Sequence, residues 1–159
     1  MNINIVCVGK MKEKFMSQAV DEYIKRLSRF AKIKITELAD EPAPEKMSEA
    51  QEMNVLKKEG ERILDKIAPS DYVVALCVEG KQMPSEKLAE HIANCMVDGV
   101  SAITFVIGGS LGLSDEVKQR SNLRLSFSLM TFPHQLMRVI LLEQVYRAFK
   151  INANESYHK

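Results

Sequence analysis

The chain has 159 residues, 46% of them apolar and 27% charged, with a formal net charge of +1. This length supports one domain, and the composition excludes disordered, fibrous and disulfide-rich classes. No stretch approaches the length of a membrane span, and no basic segment precedes an apolar one at the amino terminus. The three cysteines, Cys7, Cys77 and Cys95, are unevenly spaced in apolar surroundings, a pattern typical of buried free thiols. We therefore expect a cytoplasmic protein without membrane contact, disulfides or a bound metal.

The pattern of apolar residues alternates between strand and helix along the whole chain. Continuous apolar runs indicate strands covered on both faces, and spacings of three to four indicate helices with one buried face. The alternating stretch Lys32–Leu38 indicates a half-exposed strand near an edge of the sheet. The predicted elements are a strand at Ile3–Gly9, a helix at Glu13–Phe30, the strand at Lys32–Leu38, a loop at Ala39–Ser48, a helix ending before Pro69, a strand at Tyr72–Val78, a helix from Met83 to near Gly99, a strand at Ser101–Ile107, a short helix at Ser114–Ser121, a strand at Leu123–Ser128 and a last helix from Pro133 to about Asn152.

Alternating strands and helices predict an α/β fold. We expect a single domain over residues 1–159, with a mostly parallel sheet flanked by helices on both sides. The order of the strands does not follow from the pattern.

The last predicted helix has two apolar faces where a helix at the edge of a small domain needs only one. A homodimer interface would cover the second face, because twofold pairing is the commonest arrangement of identical chains. A helix packed centrally in its own domain is the alternative. One face consists of Leu136, Val139, Ile140 and Tyr146, and the other of Met137, Leu141, Val145, Ala148 and Phe149.

The stretch FVIGGSLGLS, Phe105–Ser114, has three glycines where a strand ends. It lacks the lysine of a Walker-type phosphate loop and the spacing of a dinucleotide fingerprint. A ligand recognised by main-chain atoms fits better, and an adenosine bearing a sulfonium is one such ligand. In a parallel sheet this loop would meet Leu76–Lys81 and Phe127–His134 beyond the carboxyl ends of the strands. A tight turn with no ligand explains the glycines equally well.

The glycine loop followed by GLSDEV, together with LSFSLMTFPHQLMRVILLEQVYRAFKINANESYHK at Leu125–Lys159, resembles the small bacterial RlmH family over the whole chain. These are large-subunit ribosomal RNA pseudouridine methyltransferases of the SPOUT superfamily. The resemblance implies a trefoil knot near the carboxyl terminus, an obligate homodimer and S-adenosylmethionine as cofactor, without a metal. It assigns cofactor contacts to Leu76, Gly108, Phe127, Ser128, Leu129, Met130, Thr131 and Phe132.

The reaction implied by the resemblance is methyl transfer to N3 of a pseudouridine in 23S rRNA, which we expect to occur on the assembled ribosome. The N3 proton must leave, so a base or a cation near the uracil edge would help. His158 could accept the proton, and Arg147 could stabilise the developing negative charge. We expect the carboxyl-terminal tail that contains Tyr157 and His158 to complete the site of the other protomer. Because such a site needs two chains, Leu141→Arg should abolish dimerisation and activity. The candidate catalytic residues are His134, Arg138, Arg147, Tyr157 and His158.

The same residues also fit simpler interpretations. His134 could cap the last helix, and Tyr157 and His158 could belong to a frayed terminus. Basic residues such as Lys10, Lys12, Arg26 and Arg29 could contact rRNA phosphates, or they could be solvated helix faces. A nucleotide-binding α/β oxidoreductase and a non-catalytic RNA-binding protein are the alternative functions.

Overall fold

The computed structural model describes residues 1–159, and it confirms the α/β class. Five parallel strands form one sheet between two layers of helices. No helix is both long and apolar enough to span a bilayer. The elements are β1 (Asn2–Val8), α1 (Lys14–Leu27), β2 (Lys32–Leu38), α2 (Glu49–Leu64), β3 (Tyr72–Lys81), α3 (Ser85–Val97), β4 (Ala102–Ile107), α4 (Asp115–Arg120), β5 (Leu123–Leu125) and α5 (His134–Asn152).

The strand order across the sheet is β2-β1-β4-β3-β5, with every neighbouring pair parallel. Every residue of β4 is buried, which explains its continuous apolar sequence. β2 lies at an edge, as its alternating pattern predicts. Because all strands run the same way, their carboxyl ends meet along one edge, where α/β proteins bind their ligands.

The two faces of the sheet carry separate hydrophobic cores. In β1, Ile3, Ile5 and Cys7 pack under α1, α3 and α5, whereas Val6 and Val8 pack under α2 and α4. This division follows from the alternation of side chains along a strand.

α5 corrects the prediction about its apolar faces. The face containing Leu141 and Val145 is buried in the core of its own domain, so the central-helix interpretation holds for that face. Leu141 is fully buried, and Leu141→Arg would therefore disrupt the fold instead of testing dimerisation. On the other face, two of the four side chains also pack against that core, whereas Leu136 and Ile140 are half-buried and pack on neither core.

Two strand ends differ from the prediction. β5 ends at Leu125 instead of Ser128, because the chain leaves the sheet there. β3 continues past Val78 to Lys81, but Leu125 pairs with both Leu76 and Lys81, so residues 77–80 bulge out of the ladder. Cys7 and Cys95 are buried as predicted, whereas Cys77, in the bulge, is half-buried. The trefoil knot implied by the resemblance stays a prediction.

Candidate functional site

The glycine loop after β4 is held in a closed shape. The N–H of Gly112 donates to the carbonyl of Gly109 over 3.0 Å, and Gly112 has a φ of +83°. A Cβ on Gly108 would lie 2.3 Å from the carbonyl oxygen of Gly112, which no side chain tolerates. The loop therefore requires glycine at Gly108 for close backbone approach and at Gly112 for its conformation.

A cavity of about 340 Å³ lies beside this loop, in the size range of small-molecule sites. The three segments expected to converge there line it: the end of β3, the glycine loop and the irregular segment between β5 and α5. Leu129 is the one predicted cofactor residue that does not line the cavity, and its side chain is 78% exposed. The predicted cofactor residues that do line it are Leu76, Gly108, Phe127, Ser128, Met130, Thr131 and Phe132.

The charge of the cavity disfavours a phosphate ligand. Its only charged lining residues are Glu79 and Lys118, which form an ion pair, so no free cation is available for a phosphate. An uncharged group such as an adenosine, held by main-chain atoms, suits this lining. Glu79 lies in a segment expected at the cavity, but nothing in the sequence indicated its pairing with Lys118, which the β3 bulge and the position of α4 bring about.

His134 also lines the cavity, at the start of α5. Its ring makes no hydrogen bond, and α5 has no side-chain cap, so the helix-capping interpretation is wrong. Burial lowers the pKa of His134, and the nearby Arg138 guanidinium lowers it further. The ring is therefore uncharged at neutral pH and has a nitrogen free to accept a proton.

Arg138 does not line the cavity, although it lies one turn from His134. Its side chain is 1% exposed, and its guanidinium donates to the carbonyls of Val8 and Gly9 and to Glu37 Oε2 over 3.1, 2.6 and 2.7 Å. This arrangement ties α5 to the ends of β1 and β2. These contacts give Arg138 a structural role, and its catalytic role stays a prediction.

Arg147, Tyr157 and His158 come together in a cluster on α5 and the tail. Glu143 Oε1 accepts from Arg147 Nη2 over 2.6 Å and from the Tyr157 hydroxyl over 3.2 Å. Burial, with the Glu143 carboxylate nearby, raises the pKa of Tyr157 to about 12, so the hydroxyl stays protonated at neutral pH. These bonds hold the tail against the domain, and the frayed-terminus interpretation is wrong.

The hydrogen-bond partners of His158 fix the position of its hydrogen. Its Nδ1 lies 3.2 Å from Arg147 Nη1, and its Nε2 lies 2.8 Å from Glu86 Oε1. Because a guanidinium only donates, Nδ1 accepts and the hydrogen is on Nε2. Both ring nitrogens are occupied. The i, i+4 spacing of Glu143 and Arg147 was a signal for their pairing, whereas nothing in the sequence pointed to Glu86.

None of the three cluster residues lines the cavity of its own chain. The sequence-predicted catalytic residues thus fall into three places: His134 in the cavity, Arg138 buried beside it, and the tail cluster outside it. Within a single chain the tail cluster and the cavity remain separate.

A glycine-lined pocket at the carboxyl edge of a parallel sheet is typical of α/β proteins that bind a small molecule there, and the uncharged main part of this lining suits a nucleoside without phosphates. The family model described as "Predicted SPOUT methyltransferase" matches residues 1–158. The chain belongs to the SPOUT methyltransferase family.

Two curated relatives align with this chain over its full length and their own. One from Bifidobacterium animalis subsp. lactis is 60% identical and one from Bacillus cytotoxicus is 58% identical, each over 159 residues. Both are named ribosomal RNA large subunit methyltransferase H. The resemblance drawn from the sequence motifs is confirmed.

A solved structure from Haemophilus influenzae Rd KW20, described as a probable methylase family protein, has the same fold. It superposes with a TM-score of 0.57 at 14% identity, over 99% of this chain and 70% of its own. At this identity the likeness concerns the fold alone.

Proposed function

We propose that this chain uses S-adenosylmethionine to methylate N3 of a pseudouridine in 23S rRNA, within the assembled ribosome. The observation that carries this proposal is full-length identity of 54–60% to relatives named as large-subunit rRNA methyltransferases. A ribosomal substrate implies a cytoplasmic location. The oxidoreductase and the non-catalytic RNA-binding protein find no support in a family of methyltransferases.

The cavity suits the proposed cofactor. Its glycine loop permits close approach of a nucleoside to main-chain atoms, and its lining is largely apolar and uncharged. S-adenosylmethionine, when bound, supplies an activated methyl group. The segments Gly108–Gly112 and Phe127–Phe132 would hold its adenosine and orient it towards the nucleotide, and positioning is a large part of the catalytic effect in such a displacement.

The N3 proton of the nucleotide needs an acceptor. His134 is the better candidate within the cavity, because its ring is uncharged at neutral pH and its nitrogens are free. His158, the earlier candidate, has both nitrogens engaged by Arg147 and Glu86. Arg147 and Tyr157 are N–H and O–H donors that would stabilise negative charge on the uracil carbonyls once they exchange their bonds to Glu143 for bonds to the nucleotide.

We place the tail cluster at the cavity of a second protomer. Two observations support this arrangement: the cluster lies outside the cavity of its own chain, and Leu136 and Ile140 on α5 pack on neither core. A homodimer through α5 would cover these two side chains and bring each tail towards the other protomer.

Methyl incorporation tests the function. Ribosomes from a strain that lacks this activity should accept a labelled methyl group from S-adenosylmethionine in the presence of the protein, and digestion should place the label on N3 of a pseudouridine. Free 23S rRNA is the comparison substrate, and we expect the protein to methylate it much less than it methylates ribosomes. Label on another base, or none with any substrate, would contradict the proposal.

Mixed dimers test the shared site. Gly108→Ala protomers keep an intact tail, and Tyr157→Phe, His158→Ala protomers keep an intact cavity. If tails act on the partner, mixing the two inactive variants restores one complete site in each mixed dimer, or about a quarter of wild-type activity with random pairing. Mixed dimers without activity would show that each tail serves its own chain.

A further inference from the structure

The cavity contains one feature that an adenosine does not require. Glu79 in the β3 bulge and Lys118 on α4 form an ion pair at its wall. The Lys118 side chain is 20% exposed and the Glu79 side chain 55% exposed, so the pair extends from the cavity to solvent. Lys118 holds the pKa of the Glu79 carboxyl below its ordinary range, and that carboxyl is therefore ionised at neutral pH.

A second cation accompanies the pair. Arg124 on β5 lies close enough for its charge to lower the pKa of Glu79 further, and its Nε donates to the backbone carbonyl of Lys118 over 3.4 Å. Arg124 is exposed. The wall thus presents one carboxylate and one cation, with Arg124 as a second cation beside it but outside the lining, and the other lining residues are uncharged apart from the titratable His134.

We propose that Glu79 and Lys118 form the subsite for the amino-acid end of the methyl donor. Lys118, with Arg124 beside it, binds the α-carboxylate, and Glu79 binds the α-ammonium group. The proposal rests on the proposed function, because it takes S-adenosylmethionine as the ligand.

Binding of the ligand would replace the Glu79–Lys118 ion pair without leaving a net imbalance of charge. The ion pair opens, and each partner meets an opposite charge on the ligand, so no charge is left unpaired in a partly enclosed site. A ligand with a single charge at this end would leave one partner unmatched. The subsite therefore selects a zwitterion, and adenosine compounds without one gain nothing from it.

Two ligands separate this subsite from the rest of the cavity. S-adenosylhomocysteine has the amino-acid end, and 5′-methylthioadenosine has the same nucleoside and thioether without it. Titration calorimetry on Lys118→Gln and Glu79→Gln should give at least about tenfold weaker binding of S-adenosylhomocysteine, the effect of losing one hydrogen bond to a charged group. Binding of 5′-methylthioadenosine should change by less than about twofold in both variants.

The control is Lys87→Gln, which breaks an exposed ion pair with Glu90 on α3, away from the cavity. It should leave the affinities for both ligands unchanged. The double variant Glu79→Lys, Lys118→Glu restores an ion pair with its charges exchanged. We expect it to fold and to bind S-adenosylhomocysteine as weakly as the single variants do.

Three results would overturn the subsite. The first is an equal loss of affinity for both ligands in the single variants, and the second is no loss for either ligand. The third is recovery of S-adenosylhomocysteine binding in the exchanged pair, because recovery would indicate that the pair has a purely structural role. Failure of the wild-type protein to bind either ligand would instead contradict the proposed function.

Discussion

Arg138 shows at the scale of one residue how the same spacing supports two roles. Its position one turn after His134 is compatible with a catalytic pair. In the fold, however, the end of β1 lies beside its guanidinium, and the carbonyls of Val8 and Gly9 accept hydrogen bonds from it. Removal of these donors would leave buried acceptors unpaired, which is costly. The buried arginine therefore holds α5 in the place from which His134 faces the cavity.

Gly108 provides a direct test of the cofactor loop. Gly108→Ala forces the loop open, because the new Cβ would meet the Gly112 carbonyl, and we expect calorimetry to detect no binding of S-adenosylmethionine. Gly99→Ala is the matched control: Gly99 has a φ of +79° but no atom within 4 Å of the added Cβ. It should cost about 1 kcal/mol of unfolding free energy and leave binding intact. Normal binding by Gly108→Ala would contradict the site.

His91 on α3 governs part of the response to acid. Burial lowers its pKa, Lys81 lowers it further, and its Nε2 is buried without a partner. The unfolded chain therefore binds more protons below about pH 6.5, and stability falls as the pH drops through that value towards the native pKa. His91→Phe keeps the ring against Tyr72 and removes the titration. Urea unfolding between about pH 7.5 and about pH 5 covers the usual histidine pKa of about 6.5. The unfolding free energy of the variant should change less over this range than that of the wild type. Equal changes in the two proteins would refute this account.

At the scale of elements, the β3 bulge and the short β5 create the cavity. Because residues 77–80 leave the ladder while Leu76 and Lys81 both pair with Leu125, Glu79 reaches the cavity wall. The segment after β5 leaves the sheet and also lines the cavity. If the whole of the predicted strand Leu123–Ser128 were regular, the main-chain groups at its end would be hydrogen-bonded within the sheet and would not be available to a ligand.

Two adjacent residues of α5 allow the proposed dimer interface and the stability of the fold to be tested separately. Ile140→Lys changes a half-buried side chain that packs on neither core, so we expect a folded monomer without activity, measured by sedimentation equilibrium and methyl transfer. Leu141→Ala removes fully buried atoms and should cost about 2–5 kcal/mol of unfolding free energy while dimers persist. A dimeric, active Ile140→Lys protein would remove α5 from the interface.

At the scale of the whole molecule, the basic residues divide into free and paired ones. Lys10 and Lys12 follow β1 at the carboxyl edge, are exposed and form no ion pair. Arg26 pairs with Glu22, and Arg29 pairs with Glu155. Free cations at the edge that holds the cavity are the better candidates for contacts with rRNA phosphates.

Steady-state kinetics with ribosomes tests this division. Lys10→Gln with Lys12→Gln should raise the KM for ribosomes several-fold, with a weaker dependence on salt, because two phosphate contacts are lost. Affinity for S-adenosylmethionine should not change. Arg26→Gln with Arg29→Gln, the matched control, should have a smaller effect on KM. Equal effects of the two pairs would indicate that charge alone, and not its location, steers binding.

The sequence by itself determined the class of fold, the identity of nearly all elements, the convergence of three segments at the carboxyl edge and the family. Hydrophobic periodicity depends on local burial, and glycine and proline act on their own backbone, so these features are encoded along the chain. Only the tertiary structure decided the strand order, the burial of Arg138 and Leu141, the Glu79–Lys118 pair and the contact of His158 with Glu86. Each of these depends on which distant residues the packing brings within a few ångströms, and sequence spacing carries no information about that distance.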